Sequence, residues 1–349
     1  MWRFGKTMRR RLLRITFVAA IAGLCIPSTL TAQEQPAGDR EYQLTARDVL
    51  LNTLLPGTAQ IKLGRVEQGL LYLSAVPLTV AGTVLQSIYF SRVLTDPDLE
   101  RFVRDDTGRS YIYYLDGLAQ SPDKWQLYLG TVLGLYGSLL TMHSQYDLAY
   151  HVRRQNAPSW APARPEPLTL GEVVAAPWVP GNLINIEIFP VFLLSILPDL
   201  SRLSQSDFTS YFAQDTVPFL GTRVSPGAGL ALAGGSAILI ANANAVWEEI
   251  AYRGMRLNTY GVAGSAVRFG LVHLPNALVP NTSIQDTIWQ SLFATMFGLY
   301  AGSVTENNNG DFRNAIAWHF WNNVLAFTFS YLAEPESQLV FRVGVDVTY

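Results

Sequence analysis

The sequence predicts an all-α fold, a multi-pass transmembrane helical bundle. Hydrophobic residues make up 49% of the 349 residues and charged residues only 15%, against a charged share of about 25% in soluble domains. The apolar residues are concentrated in segments whose length is close to the roughly 20 residues that a helix needs to cross a bilayer. The net charge of −2 gives no basic excess and argues against nucleic acid as a partner. We therefore expect the lipid bilayer to be the main surrounding of this chain.

The first 32 residues have the order of charge and hydrophobicity that is typical of a secretory signal peptide. Basic residues dominate positions 1–14, an apolar run follows at 15–26, and Leu30-Thr31-Ala32 precedes a polar stretch. Because the run is shorter than a membrane span, we predict cleavage after Ala32 rather than retention as an N-terminal anchor. The single cysteine, Cys25, lies inside this segment, which excludes a disulfide framework and a zinc site built on several thiolates.

A proline-rich stretch divides the rest of the chain, because closely spaced prolines interrupt helices and hold the backbone extended. These prolines are Pro158, Pro162, Pro165 and Pro167. We predict an N-terminal region at 33–160, a second domain at 161–336 and a short tail at 337–349.

Seven apolar segments are long enough to be predicted as spans. In the N-terminal region they lie at 69–90 and 126–142, separated by a charged loop that must lie in water. In the second domain they lie at 182–200, 227–258, 262–279, 286–304 and 314–332. The turn residues Asn307-Asn308-Asn309-Gly310 should separate the last two helices.

The segment predicted as a helix at 227–258 carries three ionisable residues near its end, Glu248, Glu249 and Arg253. A charge at the centre of a bilayer costs roughly 2.5 to 3.5 kcal/mol, so these side chains require partners or a wet cavity. Glu249 and Arg253 are four residues apart and should form an ion pair on one helix face. Adjacent residues point about 100° apart, so Glu248 would face elsewhere and remain available to accept a proton.

Two later apolar segments each carry a histidine with a neighbour at helical spacing. Phe269 lies one turn before His273, and Pro275 should kink or end that helix next to protein or a cavity. Asn323 lies one turn after His319. An imidazole and an amide on one face can both donate hydrogen bonds, as the stabilisation of an oxyanion requires.

These residues form three ordered motifs that resemble those of the CPBP family, the CAAX prenyl endopeptidase and bacteriocin-processing membrane proteases. The motifs read Glu248-Glu249-x-x-x-Arg253, Phe269-x-x-x-His273 and His319-x-x-x-Asn323. The resemblance covers about residues 170–333. It implies an intramembrane endopeptidase that acts on a membrane-associated peptide or protein.

The resemblance also implies a role for each motif residue. Glu248 with His273 would activate a water, and His319 with Asn323 would stabilise the tetrahedral oxyanion. Glu249 and Arg253 would hold the site together. We expect such a protein in the inner membrane of a bacterial cell.

Members of this family have been described both as metalloproteases and as metal-free glutamate-type proteases. Glu248, His273 and His319 are the candidate ligands of an open zinc site. No His-Glu-x-x-His run is present, so we favour chemistry without a cofactor and keep zinc as the alternative.

Two other functions stay open at this stage. A non-catalytic membrane scaffold or immunity protein would retain the same motifs. An ion-coupled transporter also places Glu and His inside the membrane, although its typical paired inverted halves are not evident in the sequence.

Overall fold

A computed structural model describes residues 44–93, 123–156, 166–183, 188–203, 205–274, 284–333 and 335. The predicted signal peptide, most of the charged loop and the predicted domain boundary at 160/161 lie outside the described residues. The tail at 337–349 lies outside them as well.

Helices dominate the described residues, which confirms the predicted fold class. The N-terminal helices are α1 (Ala46–Leu54), α2 (Thr58–Lys62), α3 (Val66–Leu73), α4 (Ala75–Val93) and α5 (Lys124–Asn156). The later ones are α6 (Leu170–Ala175), α7 (Phe189–Arg202), α8 (Gln205–Ala213), α9 (Pro226–Glu249), α10 (Leu257–Leu271), α11 (Ile284–Asn307) and α12 (Arg313–Ala333). Short 3-10 turns cover Ala176–Trp178 and Pro180–Leu183, and a π-helical segment covers Ile250–Arg256.

A small β-hairpin is an exception to the all-α prediction. Strands β1 (Val217–Phe219) and β2 (Thr222–Val224) pair antiparallel. The two turn residues, Leu220 and Gly221, both have positive φ angles, 45° and 83°, as tight hairpin turns require. Strands of three residues are too short to give a clear alternating pattern in the sequence.

Two stretches of helix among the described residues are long and apolar enough to cross a membrane, Val66–Arg92 and Pro226–Leu271. They contain the spans predicted at 69–90 and 227–258. The helix predicted at 262–279 ends earlier, at Leu271, before Pro275. The helix predicted at 126–142 instead continues to Asn156.

Neighbouring helices pack in antiparallel pairs through small residues. In the pair α4 and α5, a Cβ added to Gly82 would lie 2.6 Å from the backbone oxygen of Gly130. In the pair α10 and α11, a Cβ on Gly298 would lie 2.8 Å from the Cα of Ala266. Such close backbone approach is typical of helix packing in membranes. α9 and α12 form a third pair, which holds the candidate site.

The C-terminal half of α5 is polar, and a buried hydrogen-bond network explains why it remains helical. Asn52 of α1 donates to Ser144 Oγ at 3.0 Å, and Gln60 of α2 donates to Asp147 Oδ2 at 2.9 Å. Arg65 donates to both carboxylate oxygens of Asp147, at 3.0 and 2.8 Å. Buried polar groups need such partners, so α1 and α2 cover the polar face of α5.

One hydrophobic cluster joins the N-terminal helices to the later ones. It contains buried Tyr72 and Leu139 on the N-terminal side and buried Ile240, Val246 and Ile316 from α9 and α12. The predicted N-terminal region and second domain thus share a core, and α5 packs directly on α9 and on the π-helical segment.

Candidate active site

The chain changes from α- to π-helical hydrogen bonding at the site. α9 ends at Glu249 and the π-helical segment continues from Ile250 to Arg256. π-helical turns are rare and are frequently found at functional sites. Here the change occurs between the two glutamates and Arg253, so it sets the position of the arginine relative to both carboxylates.

Glu249 is fully buried and lies between two basic side chains. Arg253 Nε lies 3.0 Å from Glu249 Oε2 and forms the predicted ion pair. His319 Nδ1 lies 2.8 Å from Glu249 Oε1. Because a carboxylate paired with arginine only accepts hydrogen bonds, His319 must donate from Nδ1, which fixes the proton on that nitrogen.

Glu248 is also buried, and it faces the other nitrogen of the same histidine. His319 Nε2 lies 3.6 Å from Glu248 Oε2, which is longer than a hydrogen bond but well within electrostatic reach. Asn244, one turn earlier on α9, donates from Nδ2 to Glu248 Oε1 at 3.2 Å. His319 therefore lies between two carboxylates that are adjacent in sequence.

Aromatic rings enclose the charged groups. The guanidinium carbon of Arg253 lies 4.5 Å from the centre of the Phe269 ring and 5.4 Å from that of Phe297. The same two rings contact the His319 imidazole, with centroid distances of 5.8 and 5.5 Å. A cation over the face of an aromatic ring is attracted by the ring quadrupole. The rings thus stabilise Arg253 where water does not reach it.

His273 is half-buried and belongs to the same aromatic cluster, with its ring centre 5.1 Å from that of Phe269. Its Nδ1 lies 2.7 Å from the backbone oxygen of Phe269. A carbonyl oxygen can only accept, so Nδ1 carries the proton. In the neutral imidazole, Nε2 is then left with the lone pair, and this nitrogen can accept a proton or a hydrogen bond.

The structure brings some of the predicted residues together more closely than others. Glu248, Glu249, Arg253 and His319 form one contacting group. His273 is connected to this group through Phe269, and none of its described hydrogen bonds reaches Glu248. Asn323 is half-buried on α12, one turn beyond His319.

Two residues of the site were not predicted from the sequence. Asn244 could have been found, because its spacing of four from Glu248 is a helical contact distance. Phe297 had no such signal, since it reaches the site from α11 by tertiary packing.

The zinc alternative depends on Glu248, His273 and His319, which all lie among the described residues. Among the described residues, no three His, Cys, Asp or Glu side chains come together as a group that could hold a metal ion. His319 Nδ1 and His273 Nδ1 are each hydrogen-bonded to a protein oxygen, so Nε2 is the ring nitrogen of each histidine that a metal could use. The zinc alternative therefore stays a prediction.

Comparison with known families gives one match. Residues 232–325 match the family model described as type II CAAX prenyl endopeptidase Rce1-like. This range contains all six predicted site residues, from Glu248 to Asn323, and confirms the resemblance to the CPBP family for this part of the chain. Neither the curated proteins nor the solved structures gave a match.

Proposed function

We propose that this integral membrane protein is an endopeptidase that hydrolyses peptide bonds with a water activated at Glu248. At family level, the match at 232–325 supports a membrane endopeptidase of the CAAX protease type. The observation that carries the finer proposal is the pair of buried, adjacent carboxylates that share His319. Glu249 forms an ion pair with Arg253, and Glu248 Oε2 lies 3.6 Å from Nε2 of the shared imidazole.

In this proposal Glu248 is the general base. It takes a proton from the attacking water while the water oxygen forms a bond to the peptide carbonyl carbon. His273, whose Nε2 carries a lone pair, assists by accepting a hydrogen bond from the same water. When the tetrahedral intermediate collapses, the C–N bond breaks and Glu248 returns its proton to the leaving amine.

His319 and Asn323 are the proposed donors to the oxyanion. Both carboxylates face the imidazole, so His319 can carry a proton on each nitrogen and donate from Nε2. Asn323 lies one helical turn away on the same face of α12 and supplies an amide N–H. Two preorganised donors in a site shielded from water are the usual way to stabilise such a charge.

Glu249 and Arg253 have a structural role in this proposal. Their ion pair fixes the junction of α9 with the π-helical segment and, through His319 Nδ1, the orientation of the imidazole. The substrate is proposed only as a peptide or protein at the membrane, with the bacterial inner membrane as the proposed location.

The experiment compares variants of the purified protein in detergent after treatment with a strong chelator, using a library of quenched fluorescent peptides. Wild type should cleave, E248Q should not, and E306Q should cleave like wild type. Glu306 is a suitable control because it lies exposed near the end of α11.

Each outcome has a defined meaning. Cleavage that survives chelation and disappears in E248Q supports the glutamate mechanism. Cleavage that is lost on chelation and restored by zinc would establish a metalloprotease instead. Equal cleavage by E248Q and wild type would refute the role of Glu248, and no cleavage by any variant would favour the scaffold or the transporter.

A further inference from the structure

A buried asparagine contacts the proposed general base. Asn244 lies one turn before Glu248 on α9, and its Nδ2 is 3.2 Å from Glu248 Oε1. The alanines that flank it in sequence, Ala243 and Ala245, are fully buried. The side chain is thus held inside the bundle, where the surrounding packing limits its movement.

The chemistry of the contact fixes which end of the amide faces Glu248. A carboxylate only accepts hydrogen bonds, so the amide nitrogen must point toward it and the amide oxygen must point away. Hydrogen bonds to a charged acceptor are stronger than those between neutral groups. The contact therefore restrains the rotation of the Glu248 carboxyl group and leaves Oε2 as the oxygen that faces His319.

A second asparagine on the same helix provides an internal comparison. Asn242 has the same exposed fraction as Asn244, 5%, and also donates from Nδ2. Its acceptor is the backbone oxygen of Val174 at 3.1 Å, so it joins α9 to α6. Two residues along a helix correspond to a rotation of about 200°, and Asn242 accordingly points to the opposite side of α9 from Asn244. The two side chains have the same burial and the same donor group, and they differ only in the acceptor that they bind.

We propose that Asn244 is a positioning residue of the site, which holds Glu248 Oε1 so that Oε2 is presented to His319 and to the attacking water. This inference rests on the proposed function for its catalytic consequence. The contact itself is independent of any activity. Asn242, by contrast, has a structural role only.

The test compares N244L, N244A and N242L in the purified protein. N244L removes the donor and keeps the approximate volume, and N244A removes the donor together with most of the side chain. Each should reduce kcat on the quenched peptides by about 10- to 100-fold, the effect of losing one hydrogen bond to a charged group, with KM changed by less than about twofold. N242L should lower the Tm about as much as N244L does, but it should retain the kcat of wild type.

A second measurement does not depend on cleavage. The infrared carboxylate band of Glu248 can be assigned by its loss in E248Q. The band should shift in N244L, because the hydrogen bond to Oε1 is gone, and should stay unchanged in N242L.

The two measurements separate failure of this inference from failure of the proposed function. If wild type cleaves and E248Q does not, a kcat in N244L equal to that of N242L overturns the positioning role. If wild type does not cleave, the proposed function fails, and the infrared comparison still decides on Asn244. An unchanged Glu248 band in N244L overturns the inference in either case.

Discussion

Glu249→Gln should destabilise the protein far more than Glu248→Gln, although the two residues are adjacent. Glu249 is fully buried and holds Arg253 in an ion contact of 3.0 Å. Glutamine can still accept the hydrogen bond from His319 Nδ1, but it leaves the buried guanidinium without its counter-charge. Breaking a buried ion pair in this way costs about 3–5 kcal/mol.

The magnitude is a large part of the total stability of a typical protein, which is about 5–15 kcal/mol. With an unfolding entropy of about 2.1 cal/mol/K per residue, 1 kcal/mol shifts the Tm of this 349-residue chain by about 1.4 °C, so the expected decrease in Tm is roughly 4–7 °C. The Phe269 and Phe297 rings compensate only in part, because a cation–π contact contributes about 0.5–2 kcal/mol. Glu248→Gln keeps an acceptor for Asn244 and should cost about 1 kcal/mol.

The assay is thermal unfolding in one detergent for wild type, E249Q, E248Q and the double variant E249L/R253M. The double variant replaces both charges by apolar groups of similar size, and such exchanges are often neutral or stabilising. It should therefore be more stable than E249Q. A Tm of E249Q equal to that of E248Q would refute the reasoning, since the ion pair would then not hold this part of the fold.

Two further predictions concern the packing around α5. Gly254→Ala should destabilise the protein by about 1–3 kcal/mol through overpacking. The added Cβ would lie 3.0 Å from the Tyr146 ring, which has little room to move because its hydroxyl accepts a hydrogen bond from the Leu168 N–H and its ring packs on Phe312. Gly235→Ala on α9 has open space and should be neutral or slightly stabilising, so equal Tm values of the two variants would contradict the prediction. Asp147→Leu should destabilise the protein by about 2–3 kcal/mol, because the substitution removes the acceptor of two Arg65 hydrogen bonds. The cost is lower than for a fully buried ion pair, since Arg65 is partly exposed to solvent. An unchanged Tm for this variant would show that the network does not hold α5.

The apolar segments of the sequence predicted the helices well where turn residues mark the ends. α11 ends at Asn307, as the run of asparagines and Gly310 predicted, and Asn309 and Gly310 have φ angles of 55° and 79° there. α10 ends before Pro275, as its missing N–H and ring sterics require. These ends are encoded locally, so a single sequence is enough to find them.

The end of α5 could not be predicted in the same way. Hydropathy placed it at residue 142, and the helix continues to Asn156 through His143, Ser144 and Asp147. Ser144 and Asp147 bond to α1 and α2, and His143 bonds to Tyr72 of α3, partners that lie about 70–90 residues earlier in the chain. Local periodicity carries no information about such a distant partner.

The site shows the same division between local and distant contacts. The ion pair of Glu249 with Arg253 followed from a spacing of four, and the structure confirms it. The position of His319 between both glutamates depends on a contact between residues 70 positions apart in the chain. The sequence spacing could therefore predict that His319 belongs to the site, but it could not predict which side chains His319 contacts. His273 lies two residues beyond the end of α10 and bonds the Phe269 backbone oxygen of that helix, which fixes its tautomer.

The π-helical segment is held from two sides, and one of them is the N-terminal region. On the site side, His319 and the aromatic rings contact Glu249 and Arg253. On the opposite side, Tyr146 of α5 packs on Gly254, and Arg153 of α5 donates to the Met255 backbone oxygen at 3.4 Å. A π-helical stretch of seven residues is uncommon and needs packing to persist. The position of Arg253 therefore depends on α5 as well as on residues 232–325, which match the protease family.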